Sequence, residues 1–373
     1  MRKTKNFNNI KELFMNNLTT QGLVLIDVDV VALNNAGKNT TSNFDNAIAT
    51  KTIYKNGNSY VYVSGQAWRY WWRESLKRNH NWNLSPISRE SKIAFTQANP
   101  IQYPDDDVFG YMKATKEVEL DENGNVKKDK KGKDKKVDAT VTRVSPLKNS
   151  AIVSVASVRP VENWSSMARQ DGDSVPYAKQ EYSAIMKGMF SLDLNMVGTF
   201  STYNKTGYQN LTELLKKDAL EKGAKEIADD MMPGNKLIQL SPELRRKRSI
   251  DTVLALKTIS GGAMQTDNMG DITPKFIVLA TTTTGNHPFS HVVKSSGSRD
   301  EMAVLNIDGL REVLEDYKDY FVGKVFIGRR SGFFDDDADD LAAVQSEYAD
   351  FVELGPVNKM IDAYCEQLKS QID

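Results

Sequence analysis

The chain has 373 residues and carries 49 basic against 49 acidic side chains, so its formal net charge is zero. Length and composition fit one large or two smaller globular domains, with no apolar run long enough to cross a bilayer. The single cysteine, Cys365, excludes an intrachain disulfide and a cysteine-rich zinc site, and the basic start Met1-Arg2-Lys3 lacks an apolar stretch behind it, so a cytoplasmic protein without a signal peptide is expected.

In chain order, residues 7–17 read as a short helix with Ile10, Leu13 and Phe14 on one face. Residues 23–33 alternate as a strand, and the Asn/Thr/Ser-rich stretch from Asn34 to Asn46 reads as a loop. Asn56-Gly57 predicts a hairpin turn into the strand Tyr60-Val61-Tyr62-Val63. Ser64 is then a candidate N-cap for a helix carrying Trp68, Arg69, Tyr70, Trp71, Trp72 and Arg73. A helix N-terminus exposes unpaired N–H groups and suits a phosphate. Arg69 and Arg73 share one face, and Trp68 and Trp72 another. The alternative is a strand-to-helix turn with core tryptophans and surface arginines.

From about 77 to 144 the pattern suggests an inserted hairpin. Its tip holds Lys127, Lys128, Lys130, Lys131, Lys133, Lys135 and Lys136 and is expected to be disordered without a partner. Residues 151–158 read as a buried strand, 160–177 as a polar excursion holding Trp164, Met167 and Arg169, and 189–197 as another strand. Helices are predicted over 211–232, ending at Pro233-Gly234, and from Ser241-Pro242-Glu243 to Ile259. A strand at 276–281, a helix at 307–321, a strand at 324–328, a helix at 341–354 preceded by acids, and a last helix at 357–371 complete an α+β pattern. The basic cluster Arg245, Arg246, Lys247, Arg248 and the acidic run Asp335 to Asp340 segregate charge within a neutral chain. An acidic end and a basic middle favour head-to-tail contact between copies, with solvated charge as the alternative.

Catalytic constellations are sparse. His287 and His291 are separated by Pro288 and have no third ligand near in sequence, and neither a P-loop, a dinucleotide fingerprint nor a nucleophile elbow is present. Asp105-Asp106-Asp107 and Asp335 to Asp340 are the nuclease candidates, though consecutive acids more often make loops or helix starts. No cofactor, no metal and no enzymatic activity are expected.

Several segments, taken in order, resemble the guide-RNA-binding backbone proteins of type I CRISPR surveillance complexes, in particular the type I-B, DevR-like branch. They are Leu25 to Gly37, Val63 to Leu76, Asp107 to Met112, Ser145-Pro146-Leu147-Lys148, Lys187 to Leu194, Gly285-Asn286-His287-Pro288-Phe289, and Ile327 to Phe333. The resemblance implies a ferredoxin-like, RNA-recognition-motif palm (1–76, 145–159 and 183–334, with a helical insertion at 206–260). It also implies a finger insertion at 77–144, a thumb β-hairpin at 160–182 and C-terminal helices at 335–373. It implies a non-catalytic subunit that polymerises head-to-tail along CRISPR RNA. Its partners would be further copies, the small, large, end-capping and repeat-processing Cascade subunits, and a target DNA strand reached through the guide duplex, with no membrane. By the family pattern Asn34, Ser64, Gln66, Arg69 and Arg73 approach the RNA backbone, and Tyr70 stands where a related branch has a second basic residue. In the thumb, Met167 is the first candidate for the apolar side chain that displaces a base and Trp164 the second, with Arg169 beside them; an ordinary loop contact is the alternative. Lys148 is a phosphate contact or plain surface. The lysine tip is assigned to target DNA or a neighbouring subunit. The rivals are a ribonuclease using a loop aspartate and a protein–protein regulatory module.

Overall fold

The continuous apolar run Leu23-Val24-Leu25-Ile26, followed by Val28, makes Thr19–Val31 (β1) a strand, and Leu23 and Leu25 on one face and Val24, Ile26 and Val28 on the other are all buried. A strand buried on both faces belongs inside a sheet that is covered on both sides. The computed structural model shows that sheet and describes residues 17–90, 93–114, 116–119, 126–129, 131–138, 140–167, 171–204, 209–297 and 301–373. The predicted helix at 7–17 falls outside this set except for its last residue, as do Arg169 and Lys130.

The chain divides into two compact units, the first formed by residues 1–80, 148–192 and 250–371. Its sheet contains β1, Thr52–Lys55 (β2), Asn58–Val63 (β3), Ile152–Ser154 (β4), Val175–Asp193 (β5), Phe276–Thr282 (β6), Val325–Arg329 (β7) and Val352–Gly355 (β8). The order is β8-β7-β6-β1-β5-β4-β3-β2, mainly antiparallel, with β7 and β8 parallel. The Asn56-Gly57 turn joins β2 to β3 as predicted. One face packs Leu23, Leu25, Phe276 and Val278 against Leu310 and Leu314 of helix Ile307–Tyr317 and Leu341 and Val344 of helix Ala338–Glu347. Elsewhere on the sheet the helix Val357–Gln371 places Tyr364 edge-on to Phe326 at 5.8 Å, and the Tyr364 hydroxyl donates to Thr20 Oγ1 at 2.7 Å. Among the described residues no helix is long and apolar enough to cross a membrane.

The sequence predicts one helix from 341 to 354. The structure ends it at Glu347 and uses Val352–Gly355 as a parallel edge strand. The predicted loop after Asn34 contains a short hairpin, Asn35–Lys38 with Ala47–Thr50.

The second unit, residues 81–147, 193–249 and 372–373, corrects the prediction of a continuous helix over 211–232. Helix Glu213–Glu221 stops at Gly223, where Gly223 N donates to Leu220 O and Ala224 N to Ala219 O, a Schellman ending that needs the positive φ glycine supplies. The chain then forms strands Lys225–Ala228 and Lys236–Gln239, which join Thr199–Ser201 in a three-stranded sheet. Phe200, Leu211, Ala219, Ile238 and Leu240 make its core. The lysine segment, expected to be disordered, is a β-hairpin in its described part (Lys116–Val118 with Lys136–Asp138). Glu119 pairs with Lys127 at 2.7 Å and Lys135 at 2.6 Å.

The acidic and basic runs of this unit neutralise each other inside it. Asp107 is fully buried at the short helix Pro104–Phe109 and accepts from Arg143 at 2.5 Å, Arg248 at 2.6 Å and Gly198 N at 2.9 Å. Arg143 also stacks on Phe200 at 4.3 Å, and Arg245 donates to the Val197 and Leu194 carbonyls. Much of the apparent basic patch at 245–248 is therefore internal. Replacing Asp107 by Ala removes the carboxylate facing two buried guanidinium groups. It is expected to destabilise this unit by about 3–5 kcal/mol, measured as a lower urea midpoint than wild type.

Candidate nucleic-acid interface

The helix Gly65–His80 follows β3 directly. Ser64 caps it as predicted: its Oγ accepts from Ala67 N at 3.3 Å and its carbonyl from Trp68 N at 3.1 Å. The first turn carries no acid, so the positive end of the helix dipole is not offset there. Gly65 sits close against the neighbouring strand, where an added Cβ would lie 3.1 Å from Asn149 Nδ2 and 3.2 Å from Ser150 O.

Trp68, Trp71 and Trp72 are buried, and Trp68 and Trp72 stack at 5.4 Å. Trp72 meets Phe190 edge-on at 5.1 Å and donates from Nε1 to Thr252 O at 2.7 Å, and Ser75 Oγ donates to Ala255 O at 3.1 Å. Gly188 leaves room for the Trp68 ring, since a Cβ there would lie 2.9 Å from it. The tryptophans are core, as in the alternative of a strand-to-helix turn, and offer no aromatic surface for binding.

Helical geometry then sets everything else. Each residue advances about 100°, so Arg69 and Arg73, one step past Trp68 and Trp72, fall on the boundary between core and solvent and are half-buried. Gln66 and Tyr70, a further step round, are exposed. Arg69 Nη1 donates to Asn149 Oδ1 at 3.1 Å, while Asn149 Nδ2 donates to the carbonyls of Gly65 and Ser150 at 3.1 and 3.0 Å. Asn149 thus ties Arg69 to the helix start. Burial, with a smaller contribution from the charge of Arg73, pushes the Arg69 guanidinium down to about 10. It is still a cation at neutral pH, held in a setting that an incoming anion improves. Lys148 is exposed, but successive strand residues point to opposite faces, so it is turned away from the side on which Asn149 meets Arg69.

Asn34 and Trp164 belong to a second group. Asn34 is half-buried; its carbonyl accepts from Lys51 N at 3.1 Å, and its Nδ2 is buried without a hydrogen-bond partner among the described residues. Trp164 lies in strand Val161–Met167, paired with β5 across from Ala178, and is 67% exposed. Met167 closes that strand. Glu162 accepts from Asn39 and Ser42 at 2.7 and 2.8 Å, and Gln180 accepts from Thr50 N at 3.0 Å, so the two hairpins are tied together.

Sequence reasoning missed two features. One is Asn149, which directly follows a segment singled out for its resemblance. The other is a buried clasp, in which Glu181 accepts from Asn268 at 2.5 Å and Asn163 at 2.8 Å and pairs with Lys179 at 3.0 Å, while Asn268 also donates to Val30 O at 2.7 Å. Burial alone would raise the Glu181 carboxyl, but the bonds from Asn268, Asn163 and Lys179 outweigh it and hold it below the ordinary range. Nothing in the spacing of these residues announces the cluster. Among the described residues no three metal-ligating side chains converge.

The family model for the CRISPR-associated negative auto-regulator DevR/Csa2 matches residues 24–301. The chain belongs to the DevR/Csa2 family. A solved chain described as "CRISPR RNA-guided surveillance complex, pre-nicking" superposes with a TM-score of 0.50 at 10% identity, covering 94% of this DevR/Csa2 member and 100% of that chain. Another, described as "CRISPR RNA-guided surveillance complex", gives 0.46 at 10% identity over 94% and 99%. The first shows a shared fold. No curated protein matches significantly.

Two substitutions test the capping role of Ser64. Ser64→Ala is expected to cost about 0.5–2 kcal/mol of unfolding free energy, whereas Ser64→Asp keeps the cap and stays near wild type. Urea denaturation of both variants measures this.

Proposed function

We propose that this chain is a non-catalytic guide-RNA-binding backbone subunit of a type I-B Cascade-like complex, several copies of which assemble head-to-tail along one CRISPR RNA. The observation that carries the reading is the pair Arg69 and Arg73: one guanidinium is fixed by Asn149 and desolvated, and the other stands beside it, both within three turns of a capped helix start that lacks acids. Such a site holds backbone phosphates and reads no bases, as a protein that must accept any guide sequence requires. Target recognition is then left to base pairing between guide and target strand. Family membership and the fold of the first unit support the same reading.

In this reading residues 1–76, 145–159 and 183–334 form the ferredoxin-like palm, residues 77–144 the fingers, and the 160–182 hairpin the thumb. Asn34, Ser64, Gln66 and Tyr70 line the RNA path beside the arginines, and Trp164 or Met167 presses on a base. The other Cascade subunits flank the filament in the cytoplasm. The non-catalytic part is supported by Asp107, whose two oxygens are both engaged by buried arginines and are poorly placed to bind a metal. A second reading, a regulatory protein–protein module, is favoured by the burial of all three tryptophans of the helix as plain core.

The purified wild-type chain is expected to carry RNA of defined length, and Arg69→Ala/Arg73→Ala to shed it while staying folded. Because the double variant neutralises two fewer phosphates, the slope of log K against log salt for single-stranded RNA should fall by about 1.4. A wild-type protein free of RNA at low salt, or a double variant that binds as wild type, would favour the regulatory reading.

A further inference from the structure

A groove of about 720 Å³ opens on the first unit. Its lining includes Val158, Ile185 and Ala303 together with Glu301, Asp335 and Asp336; Asp335 is paired with Arg329, which leaves Glu301 and Asp336 without a basic partner among the ion pairs of the described residues. Glu301 accepts from Ser157 N at 2.7 Å, and Ser183 in the groove wall donates to Asp29 at 2.5 Å, which brings a further carboxylate to its border. Next to it, burial and the charges of Asp340 and Asp336 raise the Asp337 carboxyl above its ordinary range. Met302 in the same wall is 64% exposed. A groove with apolar lining and an excess of carboxylates repels a phosphate backbone and suits a cationic peptide segment whose methylene stems can lie on the apolar residues.

The chain carries one segment of matching chemistry. Residues 126–136 hold seven lysines against two aspartates; Lys127 and Lys135 pair with Glu119 and Lys128 with Asp134, while Lys131, Lys133 and Lys136 are exposed on the β-hairpin. The other basic run is largely neutralised internally, through Arg245 and Arg248. In a chain of zero net charge, the lysine hairpin and the acidic groove are the two complementary excesses.

We infer that the lysine hairpin of one copy docks in the Glu301/Asp335/Asp336 groove of a second copy. This rests on the backbone reading above for the two copies being neighbours in one assembly. Because the two patches differ, the contact is heterologous: it makes a ring if the rotation closes and an open array if it does not, and the backbone reading requires the open array. It also separates two surfaces on one chain, with arginines facing RNA and carboxylates facing a neighbour.

The test is a charge swap in the RNA-stripped full chain, followed by sedimentation velocity at low salt. The hairpin variant is Lys131→Glu/Lys133→Glu/Lys136→Glu and the groove variant is Met302→Lys/Asp336→Lys, all at exposed positions. Wild type should self-associate, less so as salt rises. Each variant alone should associate more weakly, on the order of tenfold or more, because like charges then meet. An equimolar mixture should recover wild-type association, since each hairpin again finds an opposite groove. Absence of wild-type association, single variants that associate as wild type, or a mixture of folded variants that fails to recover would each overturn the inference. Guide-RNA binding, measured in parallel, should be unchanged in both variants. Loss of RNA binding by the wild type itself would count against the backbone reading while leaving the association result intact.

Discussion

Trp72 fixes the rotation of the helix that carries the arginines. Its ring is buried against Trp68 and Phe190, and its one polar atom is satisfied by the Thr252 carbonyl. A buried indole N–H without an acceptor is costly, so the helix cannot roll without losing both the packing and that bond. Rotation fixed in this way determines which residues are buried, which lie at the boundary and which are exposed. The half-burial of Arg69 and Arg73 thus follows from the seating of their neighbours. Asn149 then holds Arg69 from the strand side. The precision of the site comes from the core beneath it, which accounts for so many tryptophans beside so many cations in one short segment.

Charge in this chain is arranged by location, and the total of zero conceals it. In the second unit Asp107 and the arginines around it are buried together, and such a group is better evidence of a specified arrangement than of net stability. On the first unit the cations of the tryptophan helix and the carboxylates around Asp335 are separate features with opposite preferences in ligand. A reading from net charge alone would have argued against nucleic acid. The distribution argues for two surfaces with two kinds of partner.

Much of this was legible in the sequence where a local rule acts alone. The apolar pattern of residues 23–31, the Asn56-Gly57 turn, the Ser64 cap and the helix of 357–371 each follow from one periodicity or one side chain, and each is in the structure. The failures have equally specific causes. Residues 211–232 are rich in helix formers, and that composition outweighed Gly223, which was a readable stop signal. Val352–Gly355 is four residues long and owes its strand form to pairing with β7, which no local pattern encodes. At the site, helical spacing gathers Arg69 and Arg73 on one face of the tryptophan helix, so their juxtaposition is legible in the sequence. Asn149 and the Glu181 clasp are not, because their partners are distant in sequence.

If the chain binds guide RNA as proposed, the same distinction bears on how it serves many guides. Contacts built from a helix dipole, guanidinium groups and a backbone-holding asparagine recognise a repeating charge and spacing, and neither changes with base sequence. A protein using base-edge contacts would need side chains free to reach and discriminate. Here Arg69 is held in place by Asn149, and its burial favours meeting an anion where it stands. Rigidity of that kind costs little in affinity, because less side-chain freedom is left to lose on binding. In the proposed assembly it would also impose one fixed geometry on each stretch of RNA held, which is what a repeating array needs if every copy is to present its guide segment to a complementary strand in the same way.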